Sequence, residues 1–292
     1  MLGRKGAYVF GQHETAQTSI ASGEARTGPS FGGLARVDPF GTREAVLSGP
    51  LTNISQIVFI CGRIGESSLE EKDMATLSGT LAPAPSGAHG FDCTAVLTAA
   101  SAKAMRQKGF DFCARYLSRL APQAGGDLSN AEAKAIIGSG LALMAVQHVS
   151  RQNWLPNAAL GKQFGQGAVA NAQAVGLPDG MILWLDLEGI MDGVAETDVI
   201  EYCNVWFAEV EAANYQTGIY VGASCILSGD ELFFRLTTRH YWRSGSHVPD
   251  IPHRGYQMVQ FISAKPDVVN GIAIDRDVTM TDALGGNVNW LA

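Results

Sequence analysis

Four carboxylates stand where short apolar stretches end. Asp92 follows Gly90-Phe91, Asp186 and Glu188 lie in Leu185-Asp-Leu-Glu-Gly189, and Asp275 follows Gly271-Ile-Ala-Ile274. Residues two apart on a strand face the same side, roughly 6.6 Å apart along it, so Asp186 and Glu188 are expected to share one cavity. Burial and like-charge repulsion raise the proton affinity of one member of such a pair, leaving a protonated acid beside an ionised base. Glycosidic bond cleavage needs that combination, with carboxyls roughly 5 to 9.5 Å apart across the retaining and inverting mechanisms. A single acid after a strand serves equally as the cap of the next helix. The Asp186 and Glu188 pair also fits a metal-ligating acidic cluster, or a hydrogen-bonded pair that only supports loops.

Aromatic, amide and basic residues accompany these acids. Arg115 and Tyr116 end the second apolar stretch and Gln147 and His148 the third, while Tyr220, Trp242 and Gln260 lie on the fifth, sixth and seventh. Sugars stack their apolar faces on rings and take directional hydrogen bonds from amides and charged groups, so this mixture suits a carbohydrate cleft. Tyr220 and Trp242, taken singly, fit a core as well. His148 is the one histidine placed near a strand end, where a structural role competes with that of a general base. A phosphodiesterase barrel would want a pair of histidines or a bound cation.

The elements that would position these groups alternate between short strands and amphipathic helices, the pattern of parallel sheets. Strands are expected at Ala88–Asp92, Phe110–Tyr116, Leu141–Gln147, Met181–Asp186 and Thr217–Val221, with weaker ones at His240–Trp242, Gln257–Phe261 and Gly271–Ile274. Helices are expected at Leu97–Lys108, from a Ser129 cap with Glu132 in capping-box spacing to Gly138 or Gly140, at Gln163–Val175 and at Asp198–Ala213. A cycle of about eight units, with acids at strand ends, points to a (β/α)8 TIM-type barrel, irregular in its last three units. An open doubly wound sheet would alternate similarly, but Gly-Phe-Asp-Cys-Thr after the first strand carries no dinucleotide fingerprint.

The first 85 residues differ, with Gly, Ser and Thr interleaved among isolated apolar residues, one good strand at Ile54–Ile60 and helical periodicity only at Ser67–Met74. They are expected to form an extended or β-rich arm that could dock a protein assembly, joined by a linker at Leu81–Ala88 to a barrel over 86–292. The 292-residue chain has 46% hydrophobic residues, 17% charged ones and a formal charge of -7, which argues against nucleic acid as its partner. Apolar runs are too short to span a bilayer, and no export signal is recognised, so synthesis in the cytoplasm without a signal peptide is expected. Five scattered cysteines, Cys61, Cys93, Cys113, Cys203 and Cys225, suggest buried free thiols rather than a disulfide framework or zinc site.

Gly90-Phe-Asp92, Phe112-Cys-Ala-Arg115-Tyr116, Val146-Gln147, Leu185-Asp-Leu-Glu188, Gly218-Ile-Tyr220, Tyr241-Trp242, Val259-Gln260 and Ile274-Asp275 together resemble the glycoside hydrolase family 25 lysozymes. The pattern is closer still to their uncharacterised relatives, the glycoside-hydrolase-like domains of unknown function, and spans about Gly87 to Asp277. The resemblance implies cleavage of the β-1,4 bond between N-acetylmuramic acid and N-acetylglucosamine of peptidoglycan, with no metal or organic cofactor. Position by position, Glu188 matches the general acid. Asp92, Asp186 and Asp275 match carboxylates that orient the sugar, activate water or stabilise the oxocarbenium-like transition state. Action at the cell wall after delivery by a phage particle, an injection device or host lysis would follow. The alternative is a catalytically silent barrel that binds glycan or serves a larger assembly.

Overall fold

The computed structural model describes residues 76–292 except 264 and 266, so Cys61, the strand expected at Ile54–Ile60, the helix expected at Ser67–Met74 and most of the arm lie outside the described residues. Strand β1 (Leu81–Pro83) occupies the stretch expected to be a linker. It pairs antiparallel with the last strand, Asn289–Leu291, while Leu77 and Ala84 on either side of it are buried. Two prolines at alternate positions suit an edge strand, which needs only some of its amides, as well as a linker. A chain trimmed to begin at Gly87 would lose this ribbon.

Seven strands then follow in parallel: β2 (His89–Asp92), β3 (Phe112–Leu117), β4 (Ala142–Gln147), β5 (Ile182–Leu187), β6 (Gln216–Val221), β7 (Tyr241–Arg243) and β8 (Met258–Phe261). The hairpin β9 (Asp267–Val269) and β10 (Ile272–Thr279) turns at Asn270-Gly271, both with positive φ. Asn-Gly is the favoured pair for such a turn. Strand β10 inserts between β8 and β2 and closes an eight-stranded barrel. It runs antiparallel to both neighbours, whereas a regular repeat expects a parallel eighth strand over Gly271–Ile274. Asp275 therefore sits within a strand and faces Asp92 across the ladder, rather than ending a strand as the sequence pattern suggests. The final strand, β11 (Asn289–Leu291), pairs β1 and touches β4.

Helices α1 (Ala99–Gln107), α2 (Asn130–Gly138), α3 (Ala158–Val175), α4 (Glu196–Glu211) and the short α5 (Gly229–Phe234) follow β2 to β6 in turn. Thr98, Ser129, Asn157 and Ser228 cap four of them, each side chain accepting a backbone N–H of the first turn. Among the described residues no helix follows β7 or β8, which is where the last three units depart from the repeat.

Strand alternation sorts the core into two layers. Phe112, Ala114, Met144, Val146, Ile182, Trp184, Tyr220, Trp242 and Met258 fill the barrel, and Ala84, Val288 and Trp290 join them from the ribbon at the strands' starting ends. Phe91, Cys113, Leu143, Leu183, Leu185 and Ile219 face outward and meet Trp206, Phe207 and the other helix residues. Inside, small residues lie against large ones: a Cβ at Gly218 would stand 2.5 Å from the Trp184 ring. The described cysteines, Cys93, Cys113, Cys203 and Cys225, are free and buried.

Candidate active site

At the ends of the parallel strands the barrel filling changes from apolar to acidic. Asp92, last residue of β2, is buried and accepts Tyr116 Oη at 2.8 Å on Oδ1 and Gln260 Nε2 at 2.8 Å on Oδ2. Gln260 in turn accepts Tyr220 Oη at 2.9 Å, so residues from β2, β3, β6 and β8 form one network across the barrel. Burial raises the Asp92 pKa to about 6, with the Asp275 charge adding to it, while the Gln260 and Tyr116 donors pull the other way. A cavity of about 210 Å³ opens beside Asp92, Tyr116 and Asp275.

Asp186 lies within β5 and Glu188 just past its end. Asp186 is buried, its Oδ1 meets no hydrogen-bond partner, and burial raises its pKa well above the carboxylate range, helped by the charges of Glu188 and Asp92. Glu188 is less enclosed, and its pKa is raised first by burial and then by Asp275. Charge thus links the four in pairs, Asp92 with Asp275 and Asp186, and Glu188 with Asp186 and Asp275. The Glu188 backbone is held on both flanks: its carbonyl accepts Trp154 Nε1 at 2.8 Å, and Gly189 N–H donates to the Ala223 carbonyl at 2.8 Å. Gly222 leaves room for the side chain, since a Cβ there would lie 2.5 Å from both Glu188 Cβ and Oε2.

Several residues expected to contact a sugar do other work. Arg115 is fully buried on the outward face of β3, where Nε donates to Glu132 Oε1 at 2.7 Å, Nη2 to the Gly126 carbonyl at 3.0 Å, and Nη1 to the Cys93 carbonyl. Glu132 reaches Arg115 and the Leu97 amide instead of closing the capping box suggested by its spacing from Ser129. Gln147 also faces outward, donating to the Phe164 carbonyl at 2.8 Å and accepting Trp206 Nε1 at 2.7 Å. Strand geometry excludes both from the mouth, because their neighbours Tyr116 and Val146 already point inward. Trp242 lies beneath the acids, edge-on to Trp184 and Tyr220 at 5.8 and 4.7 Å between centroids. His148 stands at the rim, stacked on Tyr116 at 4.4 Å, with Nε2 2.8 Å from Asp127 Oδ1.

Asp277 is the acid the sequence pattern left out. It is buried, accepts Trp242 Nε1 at 3.0 Å on Oδ1, and leaves Oδ2 without a partner. Burial raises its pKa well above the carboxylate range, and the neighbouring Asp92 charge adds to it. Two positions beyond Asp275 on one strand, it was findable by the parity that joins Asp186 to Glu188. Among the described residues no group of three His, Cys, Asp or Glu is arranged to hold a metal ion.

The family model described as Rv2525c-like, glycoside hydrolase-like domain matches residues 103–279, more than half of the 292. The chain belongs to this family. The Rv2525c-like match takes in Asp186, Glu188, Asp275 and Asp277 and begins after Asp92. No curated protein matches the chain in sequence. Among solved structures, the Mycobacterium tuberculosis Tat-secreted protein Rv2525c in complex with L-tartrate is similar at 19% identity, with 67% of this chain and 96% of that one covered and a TM-score of 0.52. An uncharacterized B. stearothermophilus protein gives 16% identity, 66% and 96% coverage and a TM-score of 0.48. A family 25 glycosyl hydrolase from Bacillus anthracis gives 11%, 66% and 89%, and 0.47. The Rv2525c-like domain thus has the glycoside hydrolase-like barrel that its sequence pattern implied.

The crowded acids fix the sign of a pH effect on stability. The Asp92 pKa in the folded chain lies above its unfolded value, so the fold holds that proton more tightly than the unfolded chain does. Its contribution to stability is full below about 3.8 and is lost as pH rises to about 6. Asp186 and Asp277, raised by the same cause, act in the same direction. Asp92→Asn should therefore reduce the fall in urea-unfolding free energy between pH 4 and pH 7. An unchanged or steeper fall would contradict an Asp92 that titrates high.

Proposed function

We propose that the protein hydrolyses a β-1,4 glycosidic bond of peptidoglycan or a related glycan, with Glu188 as general acid and the cell wall as its place of action. The observation that carries this is Glu188 itself, a partly enclosed carboxyl with raised proton affinity, held from its backbone beside buried Asp186 and within reach of the Asp275 charge. Family membership and the resemblance to the family 25 lysozymes support it. Glu188 donates its proton to the bridging oxygen as the bond from that oxygen to the sugar's anomeric carbon breaks. The positive charge left on the ring is met by the acidic mouth, where Asp92 is ionised above pH about 6. Water then adds to the anomeric carbon and gives its proton to a carboxylate.

Purified peptidoglycan incubated with the protein should gain reducing ends at some pH between about 4 and 8, the range over which such carboxyls titrate. No release anywhere in that range would sink the proposal. Gly222→Ala supplies a second check that removes no carboxyl. The added methyl overlaps Glu188 Cβ as well as its carboxyl, so the Glu188 position itself must shift, and misplacement by about 1 Å costs on the order of 100-fold in rate. Cleavage should fall by that order while the circular dichroism spectrum stays that of the parent.

A further inference from the structure

Beside the acidic mouth, between the loop after β3 and the loop after β4, lies a depression of about 730 Å³. We propose that it binds a carboxylate-bearing arm carried on the glycan, while the acidic mouth takes the sugar; this rests on the glycan-cleaving function proposed above. Charge is the first ground. The mouth gathers Asp92, Asp186, Glu188 and Asp275, and the chain as a whole is at -7, so an anionic substituent is repelled by the mouth itself. The depression carries the opposite charge. Arg119 and Arg151 line it, and neither forms an ion pair among the described residues. Its one acid, Asp127, is already engaged by His148 and by the Ser118 hydroxyl.

Placement and shape are the second ground. Arg119 is held rather than free, with Nη1 donating to the Val149 carbonyl at 3.1 Å and the guanidinium 5.8 Å from the centre of the Phe164 ring. Those contacts leave other N–H groups of its planar fork for a carboxylate, which guanidinium pairs bind through two parallel hydrogen bonds. Leu120, Phe164 and other apolar side chains line the pocket beside the arginines, which suits an arm with short aliphatic groups as well as charge. The Tyr116 ring links the two places: its hydroxyl donates to Asp92, and its face stacks on His148, which lines the depression. A sugar held at Asp92 can thus extend a substituent past His148 and onto the arginines.

Calorimetric titration in a Glu188→Gln background, which prevents turnover, tests this with three soluble probes: a neutral chitotetraose, a muramic-acid disaccharide with its lactyl carboxylate, and the same disaccharide bearing a stem peptide. Arg151→Glu sits on an exposed loop position and should weaken the carboxylate-bearing probes about tenfold or more while leaving chitotetraose unchanged. Loss confined to the peptide-bearing probe assigns the depression to the peptide, and loss shared by both acids assigns it to the lactyl group. Equal affinity of the parent for neutral and anionic probes, or an equal loss for all three in Arg151→Glu, would overturn the inference and leave the glycan-cleaving function standing. Failure to bind any of the three would overturn both.

Discussion

Glu188→Gln is expected to lower glycan cleavage by a factor of about 100 to 10,000, the usual worth of a general acid, while the variant folds as well as the parent or better. The amide matches the carboxyl in size but has no proton to give to the leaving oxygen. Stability should not suffer, because Glu188 is held by its backbone through Trp154 and the neighbouring glycine, and its carboxyl is disfavoured when charged by burial and by Asp275. Removing a charge the fold resists relieves strain rather than adding it. Reducing-end assays and thermal melts on the same preparation separate the two effects. Retained cleavage would remove Glu188 from the chemistry, and a collapsed melting temperature would make the loss of activity uninformative.

Arg115 should show the opposite pattern. It forms an ion pair with Glu132 in which both side chains are almost wholly enclosed, at 0% and 2% exposure. Arg115→Leu strands the Glu132 charge beside the Leu97 amide and frees the Cys93 and Gly126 carbonyls. Breaking one half of a buried pair costs about 3–5 kcal/mol, which urea unfolding reads directly. Adding Glu132→Leu should restore part of the loss, since no unpaired charge then remains. Glycan affinity per folded molecule should stay that of the parent. A lower affinity in Arg115→Leu at unchanged stability would return this residue to the substrate.

How much of the site could be read in the sequence follows from strand parity. Asp92, Asp186 and Glu188 were legible because each lies at or just beyond the end of an apolar parallel strand. Tyr116 and Arg115 are adjacent on β3, so only one can face the barrel, and chemistry alone does not say which. The buried apolar partners decide it: Phe112 and Ala114 share a face with Tyr116. The same rule turns Gln147 outward beside Val146. Asp275 follows an apolar stretch in the sequence, but the direction of β10 is set by the hairpin before it, whose local signal is the Asn270-Gly271 turn. The β1–β11 ribbon was hidden, since it pairs the two ends of the described chain and each strand has three residues.

Closure by β10 also sets when the acidic mouth can exist during synthesis. Strands β2 to β8 can add to one another in the order in which they are made, each beside its predecessor. The seam is different, because Asp92 near the start of the barrel must wait for Asp275 and Asp277 near its end. Such distant pairing bears its loop-closure cost before any contact rewards it, so it comes late in folding. A nascent or prematurely terminated chain therefore has strands and helices but no assembled carboxylate set. Whatever the mouth acts on is beyond the reach of any chain that has not been made to its final strands.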